Sequence, residues 1–182
     1  MFVVDIETTG LCGISAGDKI VEVGISEIVK GGKVIPVYHK IIAHPDIYDY
    51  SESWVFNNTD LTPEMVKNGT PEEEVISDLH KILDGQLSTS YNVYFDFTRF
   101  LNQPPYEITP IIPFDIMEIA TAVICPDASP FVRSEYAYSV VCPEDPAGLK
   151  FKQTHRALDD AVMEAHILTH LLGVVGDWAG RI

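Results

Sequence analysis

Asp5 and Glu7 stand two residues apart in the run Phe2-Val3-Val4-Asp5-Ile6-Glu7. On a β-strand, side chains two apart point to one face, so the two carboxylates meet there. Neighbouring carboxylates repel, and each raises the pKa of the other unless a cation lies between them. The pair suits a divalent metal ion, and equally an ordinary solvated pair at a strand end. Asp96 is a third acid, in the first turn of a predicted helix, where the helix dipole alone also favours an acid. His155 and Asp160 are five residues apart, which on a helix is about 140° of rotation. They share a site only if His155 sits on the loop before a helix and Asp160 inside it. From such a loop a histidine can approach a metal-bound water. Asp159 and Asp160 are neighbours, so only one faces a given site. Asp160 adjoins the row of Ala157 and Ala161, which favours it over Asp159 without deciding between them.

These residues need elements that hold them. The β-branched run from Phe2 to Ile6 predicts a buried central strand. Lys19 to Val29 predicts a second strand and Val34 to Ile42 a third, with Gly31-Gly32 as a tight hairpin between them. Residues 43–60 have no period and predict a surface loop. Thr62-Pro63 starts a helix. Gly69 to Glu74 starts another, with acids in its first turn and a stripe of Val75, Leu79, Ile82 and Leu83. Leu87 to Tyr91 and Ile111 to Phe114 predict a fourth and a fifth strand. Phe95 to Leu101 and Asp115 to Val123 predict helices, and residues 125–149 mostly loop. Residues 156–172 give the clearest helix, with Ala157, Ala161, Ala165, Leu168 and Leu172 on one face. Three strands first, then strands alternating with helices, make an α/β sheet with an antiparallel edge and helices on both faces.

Composition bounds the function. With 46% hydrophobic and 21% charged residues, the 182-residue chain has enough apolar surface to bury a core, and its length fits one domain. Twelve basic against 27 acidic residues give a net charge of −15. That field excludes a broad basic grip on nucleic acid, but not a small site that recruits cations. Cys12, Cys125 and Cys142 are odd in number and lack Cys-x-x-Cys spacing, so neither a disulfide framework nor a zinc knuckle is expected. No apolar run approaches the length of a membrane span and no leader is evident, so a cytoplasmic protein that does not bind membranes is expected. Lys150, Lys152 and Arg156 flank His155, and Arg99 is near Asp96. They form either a patch that holds a nucleic-acid strand or a solvated basic turn.

Taken together, these segments resemble a known family. Val4-Asp5-Ile6-Glu7-Thr8-Thr9-Gly10-Leu11 is similar to the first motif of the DEDDh, or DnaQ-like, 3′–5′ exonucleases. Tyr91-Asn92-Val93-Tyr94-Phe95-Asp96 with Phe100-Leu101 resembles the second, and His155-Arg156-Ala157-Leu158-Asp159-Asp160-Ala161 the third. Asp115 to Ala120 resembles the segment between them. The likeness runs from residue 2 to about residue 172, with all three motifs in order. Two departures are Tyr91, where many members have His, and Phe100, which falls one residue late. Both are expected to affect packing or substrate contact and to leave metal binding alone. Residues 125–148 lack the helical pattern that many members show there.

The resemblance implies one exonuclease domain over residues 1–182, with an RNase H-like mixed five-stranded sheet. It implies Asp5, Glu7, Asp96 and Asp160 as ligands of two Mg²⁺ or Mn²⁺ ions and His155 as general base. Hard oxygen donors agree with that choice of metal. Thr8, Thr9, Gly10 and Leu11 would meet the terminal nucleotide, and Asn92, Arg99, Lys152 and Arg156 the rest of the strand. The implied reaction is 3′–5′ hydrolysis of single-stranded DNA or RNA ends, with a polymerase or another protein as a partner. Two other readings are a phosphodiesterase on short oligonucleotides or nucleotides and a non-catalytic subunit of a polymerase complex. The complete set of four acids and His argues against the last.

Overall fold

The β-branched run at the N-terminus forms strand β1 (Phe2–Thr8) in the computed structural model, which describes residues 1–127 and 130–175. β1 pairs antiparallel with β2 (Ile20–Val29), and β2 in turn pairs antiparallel with β3 (Lys33–Ala43). The Gly31-Gly32 hairpin between β2 and β3 needs residues that tolerate positive φ, and both glycines have it (89° and 76°). Two short parallel additions, β4 (Thr70–Pro71) beside β3 and β5 (Ser88–Thr89) beside β1, complete the order β4-β3-β2-β1-β5. The expected count of five strands is met with a different member. Ile111 to Phe114 makes a single parallel bridge, Leu87 to Ile111, in place of a fifth strand. Pro110 and Pro113 deny that segment the N–H donors a ladder needs.

Helices cover both faces. Thr62 caps α2 (Pro63–Lys67), its hydroxyl accepting from the Met65 N–H, after the short α1 (Trp54–Asn58). α3 (Glu72–Leu83) packs Val75, Leu79 and Leu83 against Val4, Ile6, Val23 and Ile25. Tyr94–Leu101 is a π-helical segment, closed by an i→i−5 bond from the Asn102 N–H to the Phe97 carbonyl (2.8 Å). α4 (Ile116–Ile124), capped by Asp115, α5 (Ser134–Val141) and α6 (Ala157–Val175) cover the other face, around Val3, Ile116, Tyr138 and Met163.

Two predicted loops contain structure. In 43–60, a 3₁₀ turn (Ile47–Tyr50) and α1 bury Ile47 and Val55 with Leu61, Val66 and Val21 in a third cluster. One apolar residue per short turn produces no period, so a pattern search misses it. In 125–149, of which 128 and 129 lie outside the described residues, α5 is anchored to the turn that follows it. The Tyr138 hydroxyl donates to Asp145 (3.1 Å) and accepts from the Ala147 N–H (2.7 Å).

The contact that seats α6 on the sheet uses three β2 residues on one face. Asp5 faces Gly24 across the β1–β2 ladder, and Glu7 faces Glu22. A Cβ on Gly24 would stand 2.2 Å from the Ala157 carbonyl carbon and the Leu158 nitrogen. Only glycine lets the helix backbone come this close. On either side, a Glu22 carboxylate oxygen accepts the Ala157 N–H (3.0 Å) and the Ser26 hydroxyl donates to the Ala161 carbonyl (2.8 Å). The fully buried Ala157, Ala161 and Ala165 keep the helix side of the contact thin. Gly24→Ala should therefore destabilise the protein by about 1–3 kcal/mol or more. Urea unfolding checks this, and an unchanged midpoint would show that α6 shifts without strain.

Candidate active site

The seating of α6 decides where the acids meet. Val3, Asp5 and Glu7 share the β1 face turned to α6, as the strand period requires. Asp5 Oδ2 is buried with no hydrogen-bond partner. The π-helical segment delivers Asp96 from below the end of β5, 4% exposed. Asp160, fully buried in the first turn of α6, turns its carboxylate back onto the preceding loop. Its two oxygens accept the N–H groups of Thr154 (3.1 Å) and His155 (3.0 Å). Asp159 is exposed and bonds only the neighbouring turn through the Thr154 hydroxyl, so the choice between the two acids falls to Asp160.

His155 stands on the loop before α6 with φ at +53°, a left-handed conformation that costs roughly 1–2 kcal/mol in a non-glycine residue. The bond to Asp160 holds it there. Its Nδ1 lies 3.9 Å from Glu7 Oε1, and the edge of Trp54 packs on its ring (centroids 4.9 Å apart, planes at 81°). Donor atoms of Glu7, His155 and Asp160 lie within 4.8 Å of one another, close enough to hold one cation. The cleft above them measures about 700 Å³, and Asp5, Glu7, Asp96 and His155 line it.

The electrostatics are those of a site short of positive charge. Burial, then the charges of Glu164, Asp96, Asp160 and Glu7, push Asp5 well above the usual carboxylate range. Burial and the charge of Asp160 raise Glu7 to about 8. Burial is the largest cause at Asp96 and Asp160, both raised to about 7. Partial burial lowers His155, so near neutral pH its imidazole is free to accept a proton. An orphaned carboxylate oxygen and carboxyls that resist ionising are what a hard divalent cation would relieve, so the donor set fits Mg²⁺ or Mn²⁺.

The expected substrate contacts divide. Gly10 and Leu11 line the cleft, with Leu11 71% exposed at its rim. Thr8 and Thr9 line it too, but their hydroxyls shape the turn: Thr8 donates to the Gly10 carbonyl (2.7 Å), and Thr9 accepts from the Lys19 N–H (2.9 Å). Asn92 caps the π-helical segment through the Phe95 N–H (3.2 Å) and lines the cleft. Arg99 donates to the Leu11 carbonyl and stacks on Tyr94 (4.9 Å), so it braces the rim loop from behind. Arg156 grips the buried Glu22 through Nε (3.0 Å) and a terminal nitrogen (2.6 Å), and also pairs with Asp60 (3.1 Å). Burial opposes ionisation of Glu22, but bonds from His39, Arg156 and the Ala157 N–H outweigh it and hold its carboxyl below the usual range. The expected basic patch is thereby broken up: two arginines serve the fold, and Lys150 and Lys152 stand exposed on a turn outside the cleft.

Several residues of the cleft escaped the sequence reading, among them Glu164, Arg133 and Trp54. Glu164 is 1% exposed, one helical turn after Asp160. Arg133, exposed at the start of α5, is the one lysine or arginine lining the cleft among the described residues. Trp54 reaches it from a segment read as loop. Only Glu164 had a visible signal, its i, i+4 spacing from Asp160. Tyr91, expected to affect packing or substrate contact, is buried and also lines the cleft. Its hydroxyl donates to the Val132 carbonyl (2.8 Å) and ties β5 to the segment before α5.

With this geometry in hand, comparisons with known proteins agree. The RNase_T family model, described as exonuclease, matches residues 2–168. A PolC-type DNA polymerase III of Thermotoga maritima is 30% identical over 176 residues, 91% of this chain and 11% of that protein. The 3′-5′ exonuclease DinG of Bacillus subtilis is 24% identical over 93% of this chain and 17% of its own length. The chain thus spans less than a fifth of these relatives. Exonuclease I of E. coli, solved in complex with a dA16 oligonucleotide, superimposes with a TM-score of 0.61 over 92% of this chain and 39% of that one, at 15% identity. At that identity the likeness speaks for the fold, which is RNase H-like.

The raised carboxyls set a pH dependence. In the unfolded chain these acids release their protons near pH 4; in the metal-free fold Asp96 and Asp160 hold theirs to about 7 and Glu7 to about 8. Between those limits the folded state carries more protons, so stability falls as pH rises. In EDTA, the melting temperature should fall from about pH 5 to about pH 8, and Glu7→Gln should flatten the fall. A wild-type profile as flat as the variant's would show that Glu7 is ionised throughout.

Proposed function

The chain belongs to the RNase_T exonuclease family, and from its site we propose that it is a metal-dependent 3′–5′ exonuclease that hydrolyses single-stranded 3′ ends. The observation that carries this reading is the convergence of Asp5, Glu7, Asp96, His155 and Asp160, from three separate parts of the chain, at one cleft. Asp5, Glu7, Asp96 and Asp160 would hold two Mg²⁺ or Mn²⁺ ions. Such ions would supply Lewis-acid chemistry there, polarising a phosphate oxygen and lowering the pKa of a bound water.

The residues of the chain do the rest. His155, neutral near pH 7 and fixed by Asp160 and Trp54, takes the proton of the attacking water. Gly10 and Leu11 at the rim meet the terminal nucleotide, with Arg99 bracing the loop. Arg133 faces the strand and meets a phosphate in place of Arg156. The −15 net charge limits contact to a few nucleotides, so an adjoining domain or a partner such as a polymerase supplies further affinity. The relatives named for a DNA polymerase and a 3′-5′ exonuclease favour DNA over RNA. The same net charge favours short oligonucleotides as a second substrate class.

The test is a gel assay on 5′-labelled single-stranded DNA and RNA of one sequence, with Mg²⁺, Mn²⁺ or EDTA. A metal-dependent ladder shortening from the 3′ end is expected, faster on DNA. Asp5→Ala and Asp160→Ala should abolish it with the fold intact. His155→Ala should slow it about 10²- to 10⁴-fold while Mn²⁺ still binds. Full activity in a cleanly folded Asp5→Ala protein would sink the assignment. Loss of Mn²⁺ binding in His155→Ala would make His155 a ligand.

A further inference from the structure

The carboxylate of Glu164 has no role in the reaction as set out above, yet it lies in the same cleft. It lines the cleft and is 1% exposed. On α6 it follows the fully buried Asp160 by four residues, so the two acids share one side of the helix. Like charges at that spacing oppose helix formation even in water. Here the surroundings add to the opposition, because Asp5, Asp96 and Asp160 all act on Glu164 or are acted on by it. Among the described residues no lysine or arginine forms an ion pair with it, not even Arg133 in the same cleft. Its Oε2 accepts the Tyr91 N–H at 3.3 Å, a long bond for a buried carboxylate.

Burial of an acid that pairs with no cation gives the fold little. Asp5 Oδ2, a buried carboxylate oxygen without a hydrogen-bond partner, belongs to the acid on which Glu164 exerts the largest effect of any charge. Two carboxylates that the fold leaves without positive partners thus stand in one place. We propose that Glu164 is a fifth carboxylate of the cation site, one that adds to its affinity for a hard, oxygen-ligated divalent ion. The proposal rests on the reading of Asp5, Glu7, Asp96 and Asp160 as the residues that hold such ions. It differs from that reading in giving α6 two contributing acids, one turn apart.

The experiment is Mn²⁺ binding to the EDTA-treated, dialysed protein by titration calorimetry, with melting temperatures measured with and without Mn²⁺. Wild type, Glu164→Gln, Glu164→Met and Asp5→Asn are compared. Gln keeps the volume and can still accept from Tyr91, and Met removes the oxygens altogether. Both Glu164 variants are expected to bind Mn²⁺ at least tenfold more weakly, to lose most of the metal-induced rise in melting temperature, and to melt no lower than wild type without metal. Unchanged affinity in folded Glu164 variants, beside a loss in Asp5→Asn, would overturn the role of Glu164 and leave the site itself standing. Failure of both variants to fold would also overturn it, since the carboxylate would then serve the fold. No binding by wild type, or wild-type binding by Asp5→Asn, would instead overturn the site reading on which the proposal rests.

Discussion

The approach of α6 to β2 at Gly24 is the contact on which the rest of the molecule depends. Helix backbone lies where any side chain on residue 24 would be, and Gly24 is the ladder partner of Asp5. The spacing between helix and sheet is thus set at the residue beside the first catalytic candidate. Glu22 and Ser26 fasten the helix on either side. With helix and sheet fixed in this register, Asp160 is held against β1, and the loop before the helix must bring His155 over Glu7. Packing density makes such a contact stiff, because a backbone pressed on a backbone has no rotamer to yield.

Stability and site work against each other in this arrangement. Several carboxyls crowd a small buried volume, and burial together with mutual repulsion makes each resist ionisation. The buried carboxylate outside the site among the described residues, Glu22, is satisfied by a guanidinium, an imidazole and a backbone N–H. The contrast locates the site better than acidity alone, for the protein is acidic all over. Where the fold pairs a buried acid, the acid is structural. Where it does not, the crowded acids fit the proposed cation site.

The basic residues tell the complementary story. Few are present, and the two arginines beside the motifs hold the scaffold together. Arg156 ties the start of α6 to β2 and to Asp60 ahead of α2, and Arg99 ties the π-helical segment to the rim loop. Among the described residues the cleft itself is left with one arginine, Arg133.

Local pattern alone determined β1, β2, β3, α3 and α6, because each buries one face with a period of two or of about 3.6 over enough residues to show it. It also determined the types of the reactive groups and the shared face of Asp5 and Glu7, since strand geometry leaves no other arrangement. Tertiary structure alone decided the partners. Glu22 and Arg156 are 134 residues apart in sequence, and nothing near either one shows that the arginine belongs to the fold and not to the substrate. The same holds for Trp54 at His155, for α5, and for the burial of Glu164 with Asp160. A periodic pattern records which side of an element is buried, but the charge or ring that meets a side chain across the core comes from distant chain. That information exists only once the elements are packed.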